Sequence, residues 1–171
     1  VVVAGDGWAS RSTNNGATWT ALGRGLNSGF LEADFDSIYT NENTWIAVAT
    51  GGWASRSTDD GDTWTALPQG LNSGLATASL LAVSANGDTW VAVGASGYAS
   101  RSTDNGETWT ALTKGLNSGS LSPNFTSVAA NGNIWVAVGN GGYASISTDD
   151  GDTWTALPQG LNSGLETAIF A

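Results

Sequence analysis

The chain has no cysteine, histidine or methionine, and only five of its 171 residues are lysine or arginine. Without cysteine no disulfide framework forms. Without cysteine or histidine only oxygen atoms remain as metal ligands, which argues against a zinc site. Because phosphate binding draws on clustered lysine and arginine, the shortage of both argues against nucleic acid or an anionic membrane as a partner.

Long apolar segments are missing as well. The sequence shows no transmembrane run, signal peptide or initiator methionine, so we expect no membrane insertion. Starting at Val1, the chain is expected to be a processed product or the ordered part of something longer. Glycine, threonine, asparagine, serine and nine tryptophans are frequent instead. This composition is typical of a secreted or cell-surface β protein, which is the localisation we predict.

Acidic residues give the chain a net charge of −10, and they are concentrated in one repeated turn. Copies of that turn hold eight of the 15 acidic residues: Asp59, Asp60, Asp62, Asp104, Glu107, Asp149, Asp150 and Asp152. The acidity therefore belongs mostly to one edge of a repeated unit.

The turn lies within an octapeptide, Ser-Thr-Asp-Asp-Gly-Asp-Thr-Trp in one copy. Its four copies, spaced by about 45 residues, begin at Ser12, Ser57, Ser102 and Ser147. An aspartate that accepts backbone N–H groups, followed by a glycine able to take positive φ, provides hairpin chemistry. We therefore predict that Asp59, Gly61 and Trp64 fold one turn together.

The pattern Ser-x-Asp-x-Gly-x-Thr-Trp resembles the Asp-box, or BNR, repeat of sialidase-like β-propellers. The likeness departs only in the first copy, where Asn14 replaces the aspartate and is able to make the same turn. The structural Asp-box residues are Asn14, Gly16, Trp19, Asp59, Gly61, Trp64, Asp104, Gly106, Trp109, Asp149, Gly151 and Trp154.

Each unit also has the pattern of four short β-strands. One set is predicted at Phe35 to Tyr39, Ile46 to Ala49, Ala54 to Ser57 and Thr63 to Leu67. Four strands in about 45 residues is the number expected for a propeller blade. We therefore predict an all-β fold, a β-propeller of four Asp-box blades with one blade incomplete. It forms a single repeat domain, 1–171, with units of about 1–35, 36–80, 81–125 and 126–171.

The incomplete blade follows from the alignment of the units. Four whole units need about 180 residues. Ala171 aligns with Asp36, and Val1 aligns just after Trp45, so one inner strand is nearly absent. The unpaired edge at Val1 to Ala4 is a template for strand exchange, which favours self-association. A closed four-blade ring, a larger ring from two chains and a filament remain open alternatives.

The resemblance raises the question of catalysis. Sialidases need an arginine cluster, a tyrosine nucleophile with a glutamate partner and an acid/base aspartate. Equivalent places in the four units hold Arg11, Arg56, Arg101 and Ile146. Because these residues precede the Asp-box turn, the resemblance places them away from the catalytic mouth. We predict that the chain is not an enzyme and that the arginines pair across strands with acidic neighbours.

The acidic turns allow two interpretations. Asp59, Asp60 and Asp62 crowd together oxygen atoms of the kind that Ca²⁺ prefers, but the short turn lacks the spaced loop and bidentate glutamate of a dedicated site. We therefore predict that the carboxylates stabilise the turn, with no metal and no cofactor. The box tryptophans are predicted to lie in the core.

The opposite edge carries the predicted ligand site, where Gly-Gly-Trp/Tyr turns meet Gly-Leu-Asn-Ser-Gly connections. An aromatic ring covers the apolar face of a pyranose, while asparagine and serine reach its hydroxyls. The candidate glycan-binding residues are Trp8, Trp53, Tyr98, Tyr143, Asn27, Asn72, Asn117 and Asn162. The structural alternative is that the rings wedge between blades and the asparagines cap a turn.

These patterns together predict a non-catalytic extracellular β-propeller that binds glycans or glycoproteins. Two alternatives stay open: a structural protein that self-assembles by strand exchange, and a fragment of a sialidase-like glycoside hydrolase. Asp-box propellers include glycosidases, lectin-like modules and receptors, so the resemblance does not choose among them.

Overall fold

The computed structural model of the chain describes residues 1–162. Across these residues the regular structure consists of short β-strands and 3₁₀ turns. The strands are β1 (Val2–Val3), β2 (Ala9–Arg11), β3 (Thr20–Ala21), β4 (Phe35–Asn41), β5 (Thr44–Ala49), β6 (Ala54–Ser57), β7 (Thr65–Ala66), β8 (Leu80–Asn86), β9 (Thr89–Gly94), β10 (Ala99–Ser102), β11 (Thr110–Ala111), β12 (Phe125–Asn131), β13 (Ile134–Gly139), β14 (Ala144–Ser147) and β15 (Thr155–Ala156).

Eight 3₁₀ turns interrupt the strands at two places in each unit. They lie at Gly5–Gly7, Arg24–Asn27, Thr50–Gly52, Gln69–Asn72, Ala95–Gly97, Lys114–Asn117, Asn140–Gly142 and Gln159–Asn162. Within residues 1–162 there is no helix long and apolar enough to cross a membrane.

The strands form four antiparallel sheets, each of which is one blade. Blade 1 comprises β1–β3, blade 2 β4–β7, blade 3 β8–β11 and blade 4 β12–β15, and strands adjacent in sequence are adjacent in the sheet. The prediction of four propeller blades with one incomplete is confirmed, because in the described part of the chain blade 1 has three strands and the others have four. The outermost strand is shorter than predicted, since pairing is confined to two residues such as Thr65–Ala66.

The blades pack face to face, which explains their apolar strands. Every residue of β9 is buried, because blade 3 has a neighbouring sheet on each side. The apolar side chains form three clusters, and each cluster lies between two consecutive blades. Small residues such as Ala92 lie in these clusters and allow the close approach. Within blade 3, a Cβ on Gly94 would collide with the carbonyl oxygen of Ser79.

The four blades form an open arc. The inner strand β4 packs against β8, β8 packs against β12, and β1 packs against β4. No comparable packing joins β12 to β1 within residues 1–162. Among the described residues, blade 1 and blade 4 therefore each present one face that no other blade covers, and these two faces are called the open faces below.

Candidate functional site

The Asp-box turn is a closed set of hydrogen bonds around one carboxylate. Asp59 Oδ1 accepts from the Ser57 hydroxyl at 2.7 Å and from the Thr63 amide at 2.8 Å, and Asp59 Oδ2 accepts from the Thr63 hydroxyl at 2.6 Å. Trp64 Nε1 donates to the Gly61 carbonyl at 3.1 Å. The prediction that Asp59, Gly61 and Trp64 fold one turn together is confirmed.

The first copy of the turn keeps this geometry with an amide. Asn14 Oδ1 accepts from the Thr18 amide at 2.9 Å, and Asn14 Nδ2 donates to the Thr18 hydroxyl at 2.8 Å. Trp19 Nε1 donates to the Gly16 carbonyl at 3.0 Å. Asparagine therefore makes the turn that the resemblance implied, with one hydrogen bond reversed.

These hydrogen bonds shift the acidity of the box carboxylates. The Thr63 hydroxyl, the Thr63 amide and the Ser57 hydroxyl hold the pKa of Asp59 at about 2. The equivalent threonine and serine lower the pKa of Asp149 to about 2. For Asp104, burial raises the pKa, but its hydrogen bonds outweigh that effect and leave the pKa at about 2. The ionised form is therefore the one that the fold requires.

This acidity predicts how stability depends on pH. The folded-state pKa of about 2 lies below the unperturbed value of 3.8, so the stabilisation is fully present above about pH 4 and is lost as pH falls towards 2. We expect Asp59→Asn to flatten the acid limb of the free energy of unfolding, because Asn14 shows that an amide keeps the turn. Asn14→Asp is the matched control and should steepen that limb. Urea melts between these pH values check both, and equal acid limbs in the two variants would contradict the prediction.

The arginines of the repeat link consecutive blades. Arg11 Nε donates to the Asp60 carbonyl at 2.8 Å, and Arg11 Nη1 lies 2.9 Å from Asp62 Oδ1, both in the next Asp-box turn. Arg101 repeats the first contact with Asp150 at 2.8 Å. The prediction of cross-strand pairing is therefore wrong in its geometry, because the partners lie in the neighbouring blade rather than in the same sheet.

The burial of the box tryptophans depends on the preceding blade. Trp64, Trp109 and Trp154 are buried, each in a cluster with residues of the preceding blade. Trp19 is 49% exposed, so the prediction that it lies in the core is wrong. Its turn is intact, but blade 1 has no preceding blade in the described structure, and its ring lies on an open face.

The opposite edge of the propeller brings the predicted ligand residues together. The turns that carry Trp8, Trp53, Tyr98 and Tyr143 contact the connections of their own units, and we call this edge the aromatic rim. Trp8 is 57% exposed and the other three rings are partly exposed. One ring per blade therefore stands at this surface.

Most of the rings have a partner on one face. The Arg24 guanidinium lies 4.9 Å from the centre of the Trp8 ring, and the Lys114 ammonium lies 4.5 Å from that of Tyr98. Phe30 stacks on Trp53 at 5.6 Å between ring centres. Arg24 and Lys114 occupy the same position in units one and three. This shared basic residue is the sequence signal for the two cation–ring contacts.

The asparagines of the connections serve the fold. Asn27 Nδ2 donates to the Trp64 carbonyl at 3.1 Å, and Asn72 and Asn117 make the equivalent bonds to Trp109 and Trp154. Each amide thus ties a connection to the outer strand of the next blade. The side chain of Asn162 lies outside the described residues. The predicted site therefore has its rings at the surface, while three of its amide donors are used within the protein.

The acidic turns do not converge on one point. Within residues 1–162 no three carboxylates are grouped so as to hold a metal ion. Each box carboxylate is instead surrounded by its own serine and threonine donors, as the role of stabilising the turn requires.

Comparison with known proteins identifies the class of the fold. The BNR/Asp-box repeat profile matches residues 100–111, which span the turn of blade 3. No curated protein sequence matches the chain. The chain therefore contains the Asp-box repeat and has the fold of an Asp-box β-propeller, as the sequence predicted.

Particular solved structures share this fold. YCF48 bound to D1 peptide is 21% identical, with a TM-score of 0.63 over 89% of this chain and 48% of that chain. The GH74 xyloglucanase from Xanthomonas campestris is 17% identical, with a TM-score of 0.61 over 92% of this chain and 29% of that chain. The GH74 enzyme of Niastella koreensis is 24% identical, with a TM-score of 0.57 over 89% of this chain and 22% of that chain.

These likenesses establish the fold alone. This chain spans about half of the YCF48 chain and less than a third of the GH74 chains. The similar structures include a protein with a bound peptide as well as enzymes, so the fold is common to binding proteins and hydrolases.

Proposed function

We propose that the chain is a non-catalytic, extracellular propeller module whose aromatic rim binds glycans or glycoproteins. The observation that carries the proposal is the row of aromatic rings, one per blade, at one edge of the protein. A ring whose position is fixed presents its free face without a large loss of side-chain entropy on binding. The cation on Trp8 and the cation on Tyr98 provide that support.

The chemistry of the rim suits a sugar. The apolar face of a pyranose packs on an aromatic ring, and its hydroxyls need hydrogen-bond partners at the edge of that ring. Because three asparagine amides are used within the fold, the polar partners have to come from neighbouring groups, such as the hydroxyl of Tyr98. Each of the four equivalent rings contributes a weak contact. A ligand that spans more than one blade binds more strongly, because it makes several of these contacts at once.

Substitution of two rings tests the proposal. We expect Trp8→Ala combined with Tyr98→Ala to weaken glycan binding about tenfold or more, since each ring contributes stacking. Trp8→Phe alone is the matched control, because it keeps a ring in every blade and leaves the Tyr98 hydroxyl in place. A glycan array followed by titration of the best ligand gives the measurement. Either an array with no ligand for the parent chain or full binding by the alanine variant would refute the proposal.

The same experiment separates the other ligand classes. The YCF48 structure holds a peptide, so a polypeptide is the competing ligand. Equal binding to a glycoprotein before and after its glycans are removed would favour the polypeptide and overturn the glycan proposal. Release of free sugar from a bound glycan would overturn the non-catalytic part and favour a hydrolase fragment, as in the GH74 neighbours.

A second candidate function is structural self-assembly by strand exchange. The observation that favours it is the edge of β1, which pairs with β2 on one side only among the described residues. Val2 and Val3 at that edge are apolar, and neither proline nor lysine protects it. Strand exchange predicts an assembly larger than 17.3 kDa in which the amides of Val2 and Val3 are protected from hydrogen exchange.

A further inference from the structure

Each junction between consecutive blades is built from the same parts. An arginine of one blade bonds to a carbonyl of the next Asp-box turn, at 2.8 Å for Arg11, 2.9 Å for Arg56 and 2.8 Å for Arg101. At two junctions the arginine also pairs with an acidic residue two positions after that carbonyl, Arg11 with Asp62 at 2.9 Å and Arg101 with Asp152 at 3.7 Å. At the third junction Glu107 lines the same cavity as Arg56. The tryptophan of the turn is buried against the preceding blade. A junction is thus defined by one surface on each blade.

A buried hydrogen bond completes the junction. Ser55 Oγ donates to the Leu26 carbonyl of the preceding connection at 2.6 Å, and Ser100 and Ser145 repeat this bond to Leu71 and Leu116. These leucines are fully buried or nearly so. The connection of one blade is therefore part of the surface on which the next blade docks.

The open face of blade 4 is a docking surface of this kind that no other part of residues 1–162 covers. Leu161, the counterpart of the buried Leu26 and Leu71, is 41% exposed. Ile146 stands where the other blades have arginine. Ile134, which is 48% exposed, stands where Thr44 and Thr89 bond to the next Asp-box turn. Isoleucine thus replaces both the arginine and the threonine that make polar contacts at other junctions. An exposed apolar patch of this kind marks an interaction surface.

The open face of blade 1 is the complementary surface, also uncovered. Trp19 is half exposed where its counterparts are buried. Ser10 is only partly buried, and within residues 1–162 its hydroxyl has no recorded partner, whereas Ser55 is fully buried and bonded. Ala17 occupies the position of the acidic residues that face arginine at the other junctions. This Asp-box turn therefore has no charge to offer to an arginine.

The two open faces match each other in charge. Among the described blades, blade 4 lacks the arginine, and no blade follows it. The Asp-box turn of blade 1 lacks the acidic residue, and no blade precedes it. Arg11 and Arg101 are mostly buried, whereas their carboxylate partners are exposed. Burying an arginine without an acidic partner is costly, so a blade without the arginine suits a turn without the acidic residue. Ile146 against Ala17 is a neutral version of the pairs Arg11–Asp62 and Arg101–Asp152.

We infer that blade 4 of one copy docks on blade 1 of a second copy through these open faces. Its own blade 1 is not the partner, because the described blades form an arc that does not close. The described arc superposes on 48% of a YCF48 chain, so the same curvature occurs in a longer propeller chain. Two copies, joined twice in this way, complete a ring of eight blades.

The experiment is a charge exchange across the junction, read by light scattering and sedimentation. The parent chain is expected at about twice 17.3 kDa. We expect Ile146→Arg alone to weaken association about tenfold or more, because it buries an arginine that has no acidic partner. Ala17→Glu alone adds an exposed carboxylate and should weaken association less. The double variant places an arginine opposite an acidic residue, as at the other junctions, and should restore association to within about threefold of the parent.

Controls keep the test independent of folding and of strand exchange. Ala66→Arg adds the same charge as Ile146→Arg at an exposed position outside both open faces and should leave association unchanged. Near-ultraviolet circular dichroism verifies the fold of every variant. A 17.3 kDa parent at all concentrations would overturn the inference. So would an assembly that Ile146→Arg leaves intact, which would favour strand exchange at β1 instead. Neither result bears on glycan binding by the aromatic rim.

Discussion

Trp109→Ala should lower the free energy of unfolding by about 3–5 kcal/mol, the usual cost of truncating a buried tryptophan. The ring is 4% exposed and lies in the cluster between blades 2 and 3, with Ile46, Val48 and Leu71. Its removal leaves a cavity that two rigid sheets cannot close. A loss of this size is a large part of the stability of an ordinary domain.

Trp19→Ala is the matched control for that substitution. Trp19 makes the same hydrogen bond to its box glycine, at 3.0 Å, as Trp109 does. Because its ring is on an open face, we expect a loss below about 1.5 kcal/mol, the scale of one exposed hydrogen bond. Urea melts of dilute protein measure both. Equal losses in the two variants would mean that the tryptophans act through the turn and not through packing between blades.

Gly70→Ala should also be strongly destabilising, by about 3 kcal/mol or more. Gly70 has a φ of 69°, and a Cβ there would collide with the backbone at Leu75 and Ala76. The left-handed conformation alone costs a non-glycine residue about 1–2 kcal/mol. The backbone collision adds to this, because the connection cannot shift without pulling Leu71 from its buried position.

Gly87→Ala separates the two costs. Gly87 has a φ of 56°, and a Cβ there would meet no atom within 4 Å. We therefore expect only the conformational cost, about 1–2 kcal/mol. Thermal or urea unfolding of the two variants gives the comparison. If Gly70→Ala is as stable as Gly87→Ala, the connection accommodates the added Cβ without a collision, which would contradict the prediction.

The features that the sequence predicted are the local ones. The repeat, the strands and the Asp-box turn depend on residues close together in the chain, so the period and the turn chemistry were sufficient. Asn14 illustrates this, because its side chain makes the expected turn from four residues away. The missing inner strand of blade 1 also followed from the alignment of the units.

The features that the sequence did not predict depend on contacts between blades. Trp19 and Trp64 have nearly the same local sequence, yet only Trp64 is covered by a preceding blade. Asn27 reaches the Trp64 carbonyl, 37 positions along the chain, so its amide is used in the fold. The repeats did contain a signal for these contacts. Each unit with an arginine is followed by a unit with an acidic residue in its turn, whereas the unit with Ile146 lacks the arginine and the unit with Ala17 lacks the acidic residue.

Oxidative footprinting of the nine tryptophans tests most directly the central claim, that each Asp-box turn fastens its blade to the preceding one and that blade 1 is left open. In dilute protein we expect Trp64, Trp109 and Trp154 to be protected and Trp19 to be oxidised, with Trp19 becoming protected as the protein concentration rises. Protection of Trp19 equal to that of the other three at every dilution would contradict the claim, because blade 1 would then be covered within a single chain.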